Sequence, residues 1–88
     1  MVSVILPFYN SENTLANAIE SVLAQSFLQF ELILVNNNSD DQSVQVAKKY
    51  ESLDNRIIII NAFKQGVSHA MNTGLQAAKF ELIARIDA

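Results

Sequence analysis

Phe30-Glu31-Leu32-Ile33-Leu34-Val35-Asn36-Asn37-Asn38-Ser39-Asp40-Asp41 is the stretch on which the fold of this chain turns. Its first half reads as a strand. Its second half is a turn, because asparagine tolerates the left-handed conformation and Asn, Ser and Asp side chains can satisfy the free N–H groups that open a helix. The neighbouring segments repeat this strand–turn–helix unit. Upstream, Val2-Ser3-Val4-Ile5-Leu6 is a short apolar run carrying one serine, as expected of a strand buried on both faces. Ser11 can N-cap the helix that follows. Leu15, Ala18, Ile19, Val22 and Leu23 then recur on one face of a helical period. Downstream, a helix is predicted over Gln42 to Tyr50, with a weaker apolar face of Val46, Ala47 and Tyr50. Arg56-Ile57-Ile58-Ile59-Ile60 is a strand, β-branched and apolar after its first residue. Val67, Ala70, Met71, Gly74, Leu75 and Ala78 form the apolar stripe of a third helix, and their small side chains suggest close packing on a sheet. Leu82 to Ile86 is a fourth strand. This alternation predicts an α/β fold, a parallel sheet with right-handed helical crossovers.

Composition narrows the function classes. Half of the 88 residues are hydrophobic, enough for a core and too many for a disordered chain. The net charge of −3, with cations scattered singly apart from Lys48-Lys49, offers no basic stripe for nucleic acid. No apolar run reaches the roughly 18–20 residues of a membrane span. Met1 to Pro7 lacks the basic start of a secretory signal and reads as the first strand. The chain has no cysteine, which fits a reducing compartment and excludes disulfides and thiolate metal sites.

The polar candidates all follow strands, on one edge of the predicted sheet: Pro7-Phe8-Tyr9-Asn10, Asn36 to Asp41, Lys64-Gln65-Gly66 and Asp87. With only Gly66 and Gly74 present, there is no glycine-rich dinucleotide fingerprint and no P-loop. The turn after strand one is stiff and bulky, suited to pressing a planar or sugar group against side chains. NAD, FAD and P-loop nucleotides are therefore disfavoured. Asp40 and Asp41 open a helix and read as partners of its positive end. Met71 reads as core, and His69, beside Asn72 and Gln76, as a solvated surface residue. Lys48 and Lys49 read as complements to a helix C-terminus. An acid ending a buried apolar strand, as Asp87 does, is costly without a partner or a purpose.

Four segments resemble family 2 glycosyltransferases. They are Val2 to Asn10 followed by Ala18-Ile19-Glu20-Ser21-Val22-Leu23-Ala24-Gln25-Ser26-Phe27; Phe30 to Asp41, similar to the acidic "V-D-D-G-S-x-D" segment; Gly66-Val67-Ser68-His69-Ala70-Met71-Asn72-Thr73-Gly74-Leu75, similar to "G-x-x-x-A-x-N-x-G-I"; and Glu81 to Ala88, similar to "E-Y-I-x-x-x-D-A". Together they cover essentially the whole chain in order. The resemblance implies a Rossmann-like GT-A fold, a four-stranded parallel sheet in the order 3-2-1-4, with residues 1–88 as its N-terminal nucleotide-sugar-binding part, truncated at the D-x-D motif. It implies an inverting enzyme that moves a sugar from a nucleotide-diphosphate donor to an acceptor hydroxyl, on a glycan or lipid-linked sugar of surface polysaccharide. Mg²⁺ or Mn²⁺ would assist, in the cytoplasm or at the inner face of the membrane.

Carried over by position, Pro7, Phe8 and Tyr9 would border the base and ribose, with Asn10 and Glu12 beside them. Asn37 falls where the family has a base-contacting acid, and an amide can pair with a base edge through its donor and acceptor. Asp87 is the first acid of the D-x-D motif. No catalytic base and no complete metal-ligand set is expected within these residues, so they are expected to bind without turnover. Three departures from the pattern stand out. Asn36 and Asn37 replace acids, Asn38 replaces a glycine, and Phe80 stands where a helix-ending glycine is common. Two other readings compete. One is a non-catalytic α/β binding or assembly module that dimerises through an exposed edge strand. The other, a nucleotidyltransferase, is weakened by the absence of a glycine-rich first loop.

Overall fold

A computed structural model describes residues 1–25 and 29–88; Ser26 and Phe27 of the first motif lie outside the described residues. In chain order the elements are β1 (Val2–Phe8), α1 (Leu15–Leu23), β2 (Phe30–Asn36), α2 (Ser43–Leu53), β3 (Ile57–Asn61), α3 (Val67–Ala77) and β4 (Leu82–Arg85). The sheet is parallel throughout and ordered β3-β2-β1-β4, as the resemblance implies. Strand alternation sends side chains to two cores. Val4, Leu6, Phe8, Leu32 and Leu34 meet α1 and α2 through Leu15, Ile19 and Ala47 on one face. Ile5, Ile33 and Val35 meet Ala70 of α3 on the other. Burying a side chain of this size is worth about 1.5–3 kcal/mol, so the central pair β1 and β2 anchors the fold.

Gly74 sets how closely α3 sits. A Cβ there would lie 2.6 Å from Ile5 Cγ2 and 3.3 Å from Val35 Cγ2. The small-residue stripe thus packs tightly, as expected, but the predicted apolar face is narrower. Ala70 and Gly74 are buried and Met71 is half-buried, whereas Val67 and Leu75 are exposed. A helix resting on one face of a sheet buries a narrower arc than a fully enclosed one.

Three local expectations change. Ser11 does not cap α1 with its hydroxyl, which donates to the Tyr9 carbonyl at 3.0 Å; a turn rooted on the Ser11 carbonyl delays the helix to Leu15. α2 runs on to Leu53, beyond the predicted Tyr50. β1 continues through Pro7 to Phe8, beyond the predicted end at Leu6. Proline is tolerated there for a geometric reason. The Ile5 carbonyl accepts from Ile86 of the β4 side, and the Phe8 carbonyl accepts from Asn37 of the β2 side. Alternation therefore turns Pro7 toward β4, beyond the last β1–β4 bond, where no N–H is required.

At the N-terminal edge of the sheet lies a buried polar knot that sequence reading did not single out. Glu31 Oε2 accepts from the Ser3 hydroxyl and from the Lys79 N–H, each at 2.6 Å. Ser3 Oγ in turn accepts from the Phe80 N–H at 3.1 Å. Ser3 and Glu31 are 0% and 7% exposed. The knot receives the chain as it leaves α3 through an extended Ala78, so no glycine cap is needed and Phe80 can stand there half-buried.

Candidate functional site

α1 and α2 cover one face of the sheet and α3 the other, so the crossover direction reverses between β1 and β4. In open α/β sheets such a switch point leaves a crevice at the carboxyl ends of the strands. The crevice is present here. A cavity of about 320 Å³ is lined by Pro7, Tyr9 and Ser11 after β1, by Gln65, Gly66 and Val67 before and at the start of α3, and by Asp87 and Ala88 after β4. Phe8, Asn37 and Ala70 complete it. The volume lies at the lower end of the range for small-molecule sites, roughly 300–1,000 Å³.

The loops after β1 and β2 are sewn together by backbone N–H groups that donate to side-chain oxygens. The Asn10 N–H donates to Ser39 Oγ at 3.0 Å, and Asn10 Oδ1 accepts from the Asp40 N–H at 2.9 Å. The Ser11 N–H donates to the buried Ser43 Oγ at 2.6 Å, and the Glu12 N–H to Asp41 Oδ2 at 3.3 Å. Asp41 also accepts from the Ser43 N–H at 2.9 Å. Desolvation pushes the Asp41 carboxyl up, but its hydrogen bonds from Ser43 and Glu12 outweigh that and hold it below the usual value. Asp41 thus serves the start of α2, as read from the sequence. Asn10 and Asn38 take left-handed conformations with φ of 46° and 63°, which bears out the tolerance expected of asparagine at position 38.

Of the seven residues named from sequence, Pro7, Phe8, Tyr9, Asn37 and Asp87 come together around the cavity, whereas Asn10 and Glu12 stand back from its lining. Tyr9 is half exposed at the rim, available for stacking. Phe8 is 2% exposed and its ring belongs to the core. Asp87 is not the end of a buried strand. β4 is an exposed edge, the Asp87 side chain is 72% exposed, and it pairs with Arg85 at 3.0 Å. The burial-cost argument for Asp87 therefore fails, and its position at the crevice and its match to the family motif are left to support a role.

Asn37 is 5% exposed, and its amide is already committed. Nδ2 donates to the carbonyls of Ala62 and Lys64 at 3.2 and 2.7 Å, and Oδ1 accepts from the Gly66 N–H at 3.0 Å. Sequence reading missed Ser11, Val67 and Ala70 as lining residues. The signal was available for the last two, since they follow Gly66 directly in the first turn of a helix starting at the functional edge. No group of three or more His, Cys, Asp or Glu converges among the described residues. Hard cations take several oxygen ligands, so Asp87, already ion-paired, does not by itself fit a Mg²⁺ or Mn²⁺ centre. No helix among the described residues is long and apolar enough to cross a membrane.

Comparison with known proteins agrees with this geometry. The glycosyltransferase EpsJ of Bacillus subtilis (strain 168) is 39% identical over 87 residues, covering 99% of this chain and 25% of its own length. S. aureus TarS, solved in complex with UDP-GlcNAc, superposes with a TM-score of 0.88 at 29% identity over 98% of this chain and 26% of its own. The mannosyltransferase PcManGT of Pyrobaculum calidifontis, solved with GDP-Man and Mn²⁺, gives a TM-score of 0.90 at 22% identity over 98% of this chain and 26% of its own. The chain thus spans about a quarter of the length of these relatives, and its sheet is the GT-A arrangement of the two solved structures. The model of "Glycosyl transferase family 2" matches residues 3–88, and the chain belongs to that family.

Proposed function

We propose that these residues form the donor-binding part of an inverting glycosyltransferase, holding a nucleotide-diphosphate sugar in the crevice between β1 and β4. The observation that carries this reading is the cavity at the switch point, lined by the half-exposed Tyr9 and by Asp87. Tyr9 would stack on the base, and Pro7, Val67 and Ala70 would supply the apolar wall. Asn10 and Glu12 would act through the loop bonds that fix Tyr9. The named ligands of TarS and PcManGT, a uridine and a guanosine diphosphate sugar, support the ligand class and leave the base open. Transfer to the hydroxyl of a glycan or lipid-linked sugar, with Mg²⁺ or Mn²⁺ assistance, belongs to the whole enzyme. It would take place in the cytoplasm or at the inner face of the membrane, and these 88 residues are expected to show no turnover alone.

A thermal-shift titration with UDP, GDP and CDP, each with and without Mn²⁺, tests the site. Stabilisation by a nucleotide that disappears in Tyr9→Ala supports it; no shift with any nucleotide up to millimolar concentration rejects it. A second reading, self-association through β4, is favoured by its exposed Leu82 and Ile83. A concentration-dependent dimer in light scattering, unaffected by nucleotide, would support that reading instead.

A further inference from the structure

Accepting the donor site above, the hydrogen bonds of Asn37 determine what it can do there. A side-chain amide has two N–H donors and two acceptor lone pairs. In Asn37 both donors go to main-chain carbonyls, at Ala62 and Lys64, and one lone pair goes to the Gly66 N–H. Its own N–H donates to the Phe8 carbonyl at 2.9 Å. The side chain can therefore offer a ligand one acceptor at most and no donor. A two-point reading of a base edge, which needs a donor and an acceptor side by side, is not available from it. Gln65 is in the opposite condition. It is exposed on the cavity lining, and its amide has no hydrogen-bond partner among the described residues.

We propose that Asn37 is a positioning residue whose amide pins segment 62–66 to the end of β2, and that the pinned segment presents Gln65 to the polar edge of the nucleobase. The pin explains why an amide suits this position. A carboxylate would turn an oxygen, with no hydrogen to give, toward the Ala62 and Lys64 carbonyls and push the segment away. Gly66 ends the pinned segment at φ 118°, a conformation open to glycine, so the pin also fixes where α3 begins.

Two measurements on the chain and its variants test this. The first is hydrogen exchange by NMR without nucleotide. In Asn37→Ala the Gly66 amide proton should exchange roughly tenfold faster while those of Ile33 and Leu34 keep their rates. The second is titration with UDP, GDP and CDP. Asn37→Ala should weaken all three by a similar factor, whereas Gln65→Ala should leave Gly66 exchange unchanged and alter the ratio of affinities among the three by roughly tenfold. Unchanged Gly66 exchange in Asn37→Ala, or a loss confined to one nucleotide, would overturn the pin. Equal losses for all three in Gln65→Ala would overturn the role of Gln65. Should Asn37→Ala unfold the chain, Asn37→Asp, close in shape but lacking both donors, takes its place with the same readouts. If the unaltered chain binds none of the nucleotides, the donor-site reading fails and the Gln65 role falls with it, while the exchange rates still decide the pin.

Discussion

The two ends of the sheet solve the same problem with opposite outcomes. At the N-terminal edge, Ser3 and Glu31 bury a carboxylate and a hydroxyl and spend them on the backbone of Lys79 and Phe80. At the C-terminal edge, Asn10, Asn37 and Asn38 spend theirs on the backbones of neighbouring loops. The buried members, Ser3 and Glu31 at one end and Asn37 at the other, are all satisfied, as buried polar groups must be. Only the second borders an open cavity. A buried polar residue is thus no marker of function by itself; the space left beside it is.

The comparison can be broken most forcefully at the sealed end. Glu31→Ala removes the acceptor for two hydrogen bonds and leaves the Lys79 N–H without its partner, an expected loss of about 3 kcal/mol and about 15 °C in melting temperature. Glu31→Gln, which keeps an acceptor oxygen, should recover part of it. If the knot is purely structural, nucleotide binding per folded molecule should not change in either variant, which titration at a temperature well below both melting points would check.

Next in size is Gly74→Ala, which acts between the two ends. The new methyl meets Ile5 Cγ2 at 2.6 Å, so α3 must lift from the sheet. Overpacking of about 1–3 kcal/mol is partly offset by alanine's helix preference of about 1 kcal/mol. Thermal denaturation should show a net loss of up to about 2 kcal/mol, and nucleotide affinity should fall too, because α3 forms a wall of the cavity.

Of similar size is the open end's own test. Asn10→Ala loses the bond to Asp40 and places alanine at φ 46°, costing about 1–2 kcal/mol. Asn10→Gly loses the bond but not the conformation. Urea melts should therefore rank wild type above Asn10→Gly above Asn10→Ala; equal values would remove the conformational argument.

The smallest effect separates the ends by acid. Arg56 hydrogen bonds hold the Asp54 carboxyl, in the turn before β3, below its usual 3.8, and hydrogen bonds from Ser43 and Glu12 do the same for Asp41 at the crevice. A depressed carboxyl stabilises the fold above its unfolded value, and that contribution is lost as pH falls through the lower folded one. Stability should be level above about pH 5 and decline below about pH 4, more gently in Asp41→Asn and Asp54→Asn. Melts across pH 2.5–7 would show it.

The architecture was legible from sequence because periodicity is written into every element. The apolar run of β1, the isoleucines of β3 and the small-residue stripe of α3 each carry their own signal. The site was legible only as a set of loops after strands. Sequence does not say whether Phe8 turns inward or Tyr9 outward, and that alternation separates a core ring from a stacking one. Nor does it say that β4 lies at an edge where Asp87 meets solvent and Arg85. The Asn37 hydrogen bonds join positions about 25–29 residues apart, and the Ser3–Glu31–Lys79 knot spans most of the chain, so local patterns could not reveal either.

Pro7 carries one more consequence. Parallel strands extend their ladder rung by rung for as long as each side supplies an N–H, and on the β4 side of β1 the supply ends at residue 7. The five-membered ring acts as a zipper stop. Past Ile86 that side of β1 has no N–H to give and only the Pro7 carbonyl left to accept, so the two strands are held less tightly there. Covalent structure at residue 7 thus removes one bond that would otherwise draw the two strands together at the mouth of the crevice.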